Sequence, residues 1–403
     1  MTELDKIKQL LQFNKFLEAE KLLQKLILNT PHNLEQLMLL AGLYRSIGKF
    51  NEAKKTYQRI IELDNAYTVA YRLLIDFLDE NELSDFEKKI TTLILKEISD
   101  EKLIDLYFSL GILNEKLKKY KLSSDYFTKA NNLKRKITPF NFNNLEKHFQ
   151  NLKDVFSKLS FKKINYQNQK KIIFIIGLPR SGTSLVESIL GSNKNIYRAG
   201  EIPNLKKIIR ENFVSDGLLD FDKINNKINN KDNSIYDHYI NDTNLKNIKE
   251  NVVTDKNTEN FKFLGIINAF FTNSKIINCI RDPFENFCSL YKINFNSSGL
   301  NWTNSKKEIF MYHKNYFELI DFWKSKNINN IMDLKFEELL SDSVNTINKL
   351  IDFCDLDRND DYINFHSSNS LIIKTASANQ ARKPIQKANI YKYKHFKDYF
   401  DFN

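Results

Sequence analysis

The sequence predicts a two-part α plus α/β protein. Residues 1–135 read as an array of helical repeats, 136–168 as a linker with a bridging helix, and 169–403 as an α/β domain around a central parallel sheet. Three observations carry this reading. The first is self-similarity at a period of 34 residues near the N-terminus, the mark of stacked helix–turn–helix units. The second is a change of pattern at Lys171, where helical periodicity gives way to short β-branched runs separated by helix-like stretches. The third is a glycine loop directly after the first of those runs, where ligands of parallel sheets bind.

The repeat is clearest in Leu37–Asp64. Tyr44, Gly48, Ala53, Tyr57 and Ile60 recur 34 residues earlier as Leu10, Asn14, Ala19, Leu23 and Leu26, and Pro31 closes that unit. A later unit places Gly111, Ser123, Phe127 and Ala130 in similar slots, whereas Asp76–Leu95 fits loosely. The period and pattern resemble the tetratricopeptide repeat, whose stacked helices share one core and expose a concave face. Such an array either holds a protein or peptide partner or serves the downstream domain as support or dimer contact. In Asn144–Leu159 the residues Leu145, Phe149, Leu152, Phe156 and Leu159 form one apolar stripe at helical spacing, the bridging helix.

Within the second part, KIIFII (Lys171–Ile176), KIINCI (Lys275–Ile280) and NIMDLKF (Asn330–Phe336) read as buried strands. Helical stretches are expected at Ser184–Leu190, Phe284–Tyr291 and Glu308–Trp323, and Asp216–Glu250, poor in apolar residues, as a surface insertion rather than a lid. Composition narrows the class. The net charge of +11, from 61 basic and 50 acidic residues, suits an anionic ligand and equally a solvated lysine-rich surface. Cys279, Cys288 and Cys354 form no pair of metal-binding spacing, and an odd, sparse set fits a reducing compartment. The six histidines form no zinc motif, so no metal is expected. The first residues, MTELDKIKQLLQFNKF, show no leader pattern, and no run of 18 apolar residues occurs, so the expectation is a cytoplasmic protein without a membrane span.

The glycine loop carries the chemistry. GLPRSGTS (Gly177–Ser184) nearly matches the phosphate loop of nucleotide triphosphatases, but Thr183 stands where that loop has its lysine. Gly177 and Gly182 let the backbone turn its N–H groups toward an anion, Arg180 offers a planar donor fork, and Ser181, Thr183 and Ser184 offer hydroxyls. Without the lysine the loop suits a phosphate that is not part of a triphosphate.

FIIGLPRSGTSLVESIL resembles the 5′-phosphosulfate loop of sulfotransferases that use 3′-phosphoadenosine 5′-phosphosulfate (PAPS). The version P-R-S-G-T-S-L is similar to tyrosylprotein sulfotransferases and to bacterial sulfotransferases with tetratricopeptide repeats. The likeness extends through the segments TDKNTENF, IINCIRDPFENFCSLY, DLKFEELLSD and KTASANQARKPIQKANIYKY to the chain end, and with the repeats it covers essentially the whole sequence. The resemblance implies a P-loop-like sulfotransferase domain with PAPS as co-substrate, 3′-phosphoadenosine 5′-phosphate (PAP) as product and no metal. It implies Glu201, in RAGEIPNL, as general base, with Arg180, Lys256 and Ser377 around the transferred group. Gly177, Arg180, Ser181, Gly182, Thr183 and Ser184 would hold the 5′ end, Arg281 and Ser289 the 3′-phosphate, and Lys392 the nucleotide's phosphate end. Two positions depart from the family: Ile293 replaces a polar contact, and Phe336 replaces a tyrosine. Each assigned residue has a plainer reading. Arg281 is also placed to form a surface salt bridge with Asp282 or a neighbour, Glu201 to be a helix-start or surface glutamate, and Lys256, Ser377 and Lys392 to be solvated side chains. The acceptor is a hydroxyl of a peptide tyrosine, a sugar or a small molecule, not a nucleic acid. The rival readings are a kinase or other NTPase with a degenerate loop, which requires Mg²⁺-dependent ATP or GTP binding, and a non-catalytic adaptor built on the repeats.

Overall fold

A computed structural model describes residues 2–12, 15–96, 98–159, 168–243, 245–328, 330–367, 385 and 390–400. Ser377 lies outside them. The N-terminal part is helical throughout: α1 (Glu3–Gln12), α2 (Phe16–Asn29), α3 (Leu34–Ile47), α4 (Phe50–Leu63), α5 (Thr68–Leu74), α6 (Glu80–Ile94), α7 (Asp100–Lys116) and α8 (Tyr120–Ile137). The residues that repeat at 34 form the seam between helices: Ala19 and Ala53, and Leu23 and Tyr57, are all buried. Gly111 is small for a steric reason, since a Cβ there would fall 2.6 Å from the Phe127 ring of α8. The bridging helix α9 (Phe142–Lys158) buries Phe149, Leu152 and Phe156, as its stripe predicts.

Beyond α9 five parallel strands form one sheet in the order β2-β5-β1-β6-β7. They are β1 (Lys171–Gly177), β2 (Ile196–Arg198), β5 (Val252–Asp255), β6 (Ser274–Ile280) and β7 (Ile331–Lys335); β3 (Val214–Ser215) and β4 (Leu218–Leu219) make a separate hairpin. β1 is central, and its alternation feeds two cores. Ile172, Phe174 and Ile176 point into one, and Ile173 and Ile175 into the other, which is why the run is apolar without a break. β1, β6 and β7 coincide with the three expected runs; β2 and β5 do not appear in that reading. Asp216–Glu250 is not a surface insertion. It folds as helices Phe221–Asn229 and Ser234–Asp242, whose Ile224, Ile228, Ile235, Tyr239 and Ile240 are buried in the main core.

The repeats are welded to the sheet domain rather than tethered to it. Ile104, Phe108, Phe127 and Ala130 of α7 and α8 belong to the same core as the sheet. Polar pins surround that contact. Asn131 Nδ2 donates to the Tyr291 carbonyl at 2.8 Å, Lys292 pairs with Glu115 at 2.5 Å, and Asn294 donates to Asp105 at 2.9 Å. Lys134 reaches Asn294 and the Phe295 carbonyl, and burial lowers its ammonium to about 8. The chain end closes the seam: His395 stacks on Tyr120 of α8 at 3.9 Å, and Phe400 packs on Phe287 and Tyr291. No helix among the described residues is long and apolar enough to cross a membrane.

Candidate active site

A parallel sheet brings the carboxyl ends of all its strands to one edge, and here each of the five delivers a residue of interest. Glu201 follows β2, Lys256 follows β5, the loop Leu178–Gly182 follows β1, Arg281 follows β6 and Phe336 follows β7. The loop then enters α10 (Thr183–Leu190), so the helix N-terminus faces the same edge.

The loop is tightly constrained. A Cβ on Gly177 would fall 2.6 Å from the Cys279 carbonyl of β6, so the first turn admits no side chain. Gly182 has φ of 102°, and a Cβ there would meet the Phe336 ring at 2.5 Å. Arg180 also has a positive φ, 72°, which for a residue with a side chain costs roughly 1–2 kcal/mol. That strained backbone is held from two sides. Arg281 Nη1 donates to the Arg180 carbonyl at 3.2 Å, and Asn286 Nδ2 donates to the Pro179 carbonyl at 2.9 Å. Ser181, Thr183 and Ser184 are all buried, and Ser181 Oγ makes no hydrogen bond among the described residues.

Two arginines converge at this loop. Arg180 Nε donates to Ser289 Oγ at 3.0 Å; Ser289 lies in the helix Pro283–Tyr291. Burial, together with the Arg281 charge and against the pull of Tyr393, lowers the Arg180 guanidinium from its ordinary value. Arg281 pairs through Nη2 with Glu285 at 3.2 Å, one turn into that helix, and not with Asp282. Asp282 instead caps the helix by accepting from the Glu285 N–H at 3.0 Å. Arg281 is thus both anchored to a buried carboxylate and left with a buried Nε that makes no hydrogen bond among the described residues. Its guanidinium lies 5.0 Å from the Phe336 ring centre and 5.8 Å from that of Tyr393. Phe336 has no hydroxyl to offer, yet its ring backs both Gly182 and Arg281.

Tyr393 was not anticipated from the sequence. Its N–H donates to Glu285 Oε1 at 2.8 Å, and Lys292 Nζ sits 3.9 Å from its ring centre. Burial pushes the phenol up, but Lys292, Lys392 and Arg281 outweigh it and bring it below the ordinary value. Lys392 itself is exposed, its ammonium 5.5 Å from the same ring. Ile293, the apolar departure, sits one residue past Lys292, the residue that ends the helix and lays its ammonium on the Tyr393 ring.

On the other side of β1, Lys256 is 2% exposed and ion-paired with Glu201, which is 62% exposed. The backbone between them is continuous with the sheet: Ala199 N–H donates to the Thr254 carbonyl at 3.1 Å and Lys256 N–H to the Gly200 carbonyl at 2.8 Å. Next to Lys256, the buried Asp255 accepts from Tyr239, Asn260 and the Asn257 N–H. Burial outweighs those donors and pushes its carboxyl up to about 7.

Behind the loop, His313 supports Asn286. Asn286 Oδ1 accepts from His313 Nε2 at 2.9 Å while its Nδ2 holds Pro179. Burial lowers His313 to about 4. A base whose folded pKa is depressed contributes stability above its unfolded value, near 6.5, and loses it as pH falls toward the folded value. Asp255 has the opposite sign: its raised pKa favours the fold at low pH and that gain disappears as pH rises through about 7. Both act between about pH 4 and 7, each by up to roughly 1.4 kcal/mol per pH unit. Relative to the wild type, His313→Gln is therefore expected to become more stable as pH falls from 7 to 5, and Asp255→Asn less stable. Urea denaturation at pH 5, 6 and 7 measures both; parallel pH slopes for all three proteins would remove this account.

Residues 173–360 match the sulfotransferase family, and residues 37–67 and 104–137 match the tetratricopeptide repeat. The chain therefore carries a sulfotransferase domain behind N-terminal tetratricopeptide repeats. The family match ends before Ser377 and Lys392. An uncharacterized protein of Aquifex aeolicus (strain VF5) is 25% identical over 98% of this chain, and the chain spans about half, 53%, of that relative's length. Among solved structures, the sulfotransferase domain of the Synechococcus PCC 7002 olefin synthase is 17% identical, covering 58% of this chain and 90% of its own, with a TM-score of 0.39. The sulfotransferase domain from the curacin biosynthetic pathway is 18% identical over 58% of this chain and 94% of its own, with the same TM-score, 0.39.

Proposed function

We propose that the protein transfers a sulfuryl group from PAPS to a hydroxyl acceptor, with Glu201 as general base. The observation that carries this reading is a pair of buried donors at one loop, Ser181 Oγ and Arg281 Nε, without hydrogen-bond partners among the described residues. Donors that converge beside a helix N-terminus and two guanidinium groups fit an anion with several oxygens. Phosphate groups are the chemistry that this donor set suits, and Thr183 in the lysine position favours a donor without a triphosphate.

In this reading Gly177–Ser184 holds the 5′ end of the nucleotide, Arg281 and Ser289 hold the 3′-phosphate, and Lys392 contacts the nucleotide's phosphate end. When bound, PAPS supplies the sulfuryl group and leaves as PAP. Arg180 and Lys256 place positive charge for the oxygens that gain negative charge during transfer, and Ser377 takes the role given it by its motif. Glu201, at the rim and exposed, takes the proton from the acceptor hydroxyl, a site that suits an acceptor arriving from solvent. Sulfuryl transfer, like phosphoryl transfer, depends mainly on positioning and electrostatics, and these residues supply both. The acceptor is a peptide tyrosine, a sugar or a small molecule, and the repeats are the surface on which a peptide or carrier would dock.

Titration calorimetry with PAP tests the proposal. Binding without Mg²⁺ is the expected result. Absence of PAP binding overturns it; Mg²⁺-dependent binding of ATP or GTP in its place supports the NTPase reading, and no nucleotide binding at all supports the adaptor.

A further inference from the structure

Glu187 lies within FIIGLPRSGTSLVESIL but is assigned no role by the resemblance, and its position gives it one. It lies in α10, directly behind the anion loop, and is only 4% exposed. A buried carboxylate must be satisfied by donors, and the donors here come from β5 and from the turn that follows β2. Glu187 Oε1 accepts from the Gly200 N–H at 3.0 Å and from Thr254 Oγ1 at 3.3 Å. Its Oε2 lies 3.9 Å from Arg198 Nη2, at the end of β2.

The contact with Gly200 matters because of what flanks it. The Gly200 carbonyl is held by the Lys256 N–H, and the preceding Ala199 N–H is held by Thr254. With Glu187 on its N–H, the peptide at Gly200 is gripped on both sides. Glu201 follows immediately, and its side chain is mostly exposed, with its described ion-pair partner being Lys256. Packing therefore does little to orient Glu201, and the backbone at Gly200 does most of it. The group that fixes this backbone to the anion loop is a side chain from the loop's own helix.

We infer that Glu187 is a positioning residue that registers the Gly200–Glu201 segment to the donor-binding helix. One carboxylate links the element that holds the donor to the element that carries the base, so a shift of either is felt by the other. The structural half of the inference stands on the hydrogen bonds; its consequence for turnover rests on the sulfotransferase reading.

The test compares Glu187→Ala, Glu187→Asp and Glu187→Gln by hydrogen exchange, PAP calorimetry and transfer of label from radiolabelled PAPS to a pool of tyrosine peptides. Alanine removes the acceptor. Aspartate keeps the buried charge beside Arg198 but draws it back by one methylene, so it serves where alanine does not fold. Glutamine keeps an oxygen for Gly200. Alanine and aspartate are expected to speed exchange at the Gly200 amide by tenfold or more, to leave PAP affinity within threefold, and to lower turnover at saturating donor by tenfold or more. Glutamine is expected to restore most of the protection. Unchanged Gly200 exchange in both the alanine and aspartate variants overturns the inference, as does a loss of PAP affinity that parallels the loss of turnover. Failure of the wild type itself to bind PAP overturns the functional reading instead, and the exchange result still decides the role of Glu187.

Discussion

Glu201→Gln is expected to bind PAP as the wild type does, within about twofold, while transferring label from PAPS slower by roughly 10²- to 10⁴-fold, the range for loss of a general base. Glutamine is the informative substitution because of Lys256. That ammonium is 2% exposed and paired with Glu201, and alanine would leave its charge without that partner. A glutamine oxygen still accepts from Lys256 but has no place for a proton. The fold and the donor site then stay intact while the proton transfer is removed. The measurement is single-turnover transfer with donor saturating, which separates chemistry from binding and product release. Turnover within threefold of the wild type would move the base to another residue.

How much of this site could be read from the chain follows from how each part is built. β1, β6 and β7 are legible because strands covered on both faces are apolar without a break, and their ends locate the Arg180 loop and Arg281. β2 is three residues long with one buried, and β5 is four residues ending in Thr254 and Asp255, too short for any periodicity to mark them. Yet the motifs around Glu201 and Lys256 were legible because family likeness does not depend on strand length. Asp216–Glu250 misleads for a different reason. Its asparagines, lysines and aspartates dominate the composition, whereas Ile224, Ile228, Ile235, Tyr239 and Ile240 suffice to bury one face of each helix.

Glu187 and Tyr393 show the other limit. A single charged residue in the helix TSLVESIL gives no signal of what it will meet, since Gly200 and Thr254 are 13 and 67 residues away. Tyr393 becomes a neighbour of Arg281 only because the chain end returns to Glu285, 108 residues distant. Long-range contacts of this kind are products of topology, and no local pattern encodes them. The plainer reading of Arg281 holds in that it pairs with a neighbour, Glu285 rather than the adjacent Asp282, but the pair is buried and not at the surface.

That ion pair shapes the second large prediction. Arg281→Ala is expected to weaken PAP binding by roughly 10- to 100-fold, the value of one charge-assisted hydrogen bond at about 1.5–3 kcal/mol. The same substitution strands Glu285, which is 1% exposed. Burial already raises that carboxyl above its ordinary value, with the Tyr393 N–H and Arg281 opposing the shift. The single variant should therefore lose stability as well as affinity, by roughly 3–5 kcal/mol for a broken buried pair, and weak binding alone could be a symptom of a loosened helix. Arg281→Ala combined with Glu285→Gln separates the two. Glutamine keeps an acceptor for the Tyr393 N–H and needs no counter-charge, so thermal stability should recover most of the loss. Affinity should not recover, because the donors aimed at the phosphate are still gone. If PAP affinity returns with stability in the double variant, Arg281 serves to hold the helix and the 3′-phosphate must be bound elsewhere; if stability alone returns, the guanidinium does both tasks, anchored through Nη2 and free to bind through the nitrogen that the fold leaves unsatisfied.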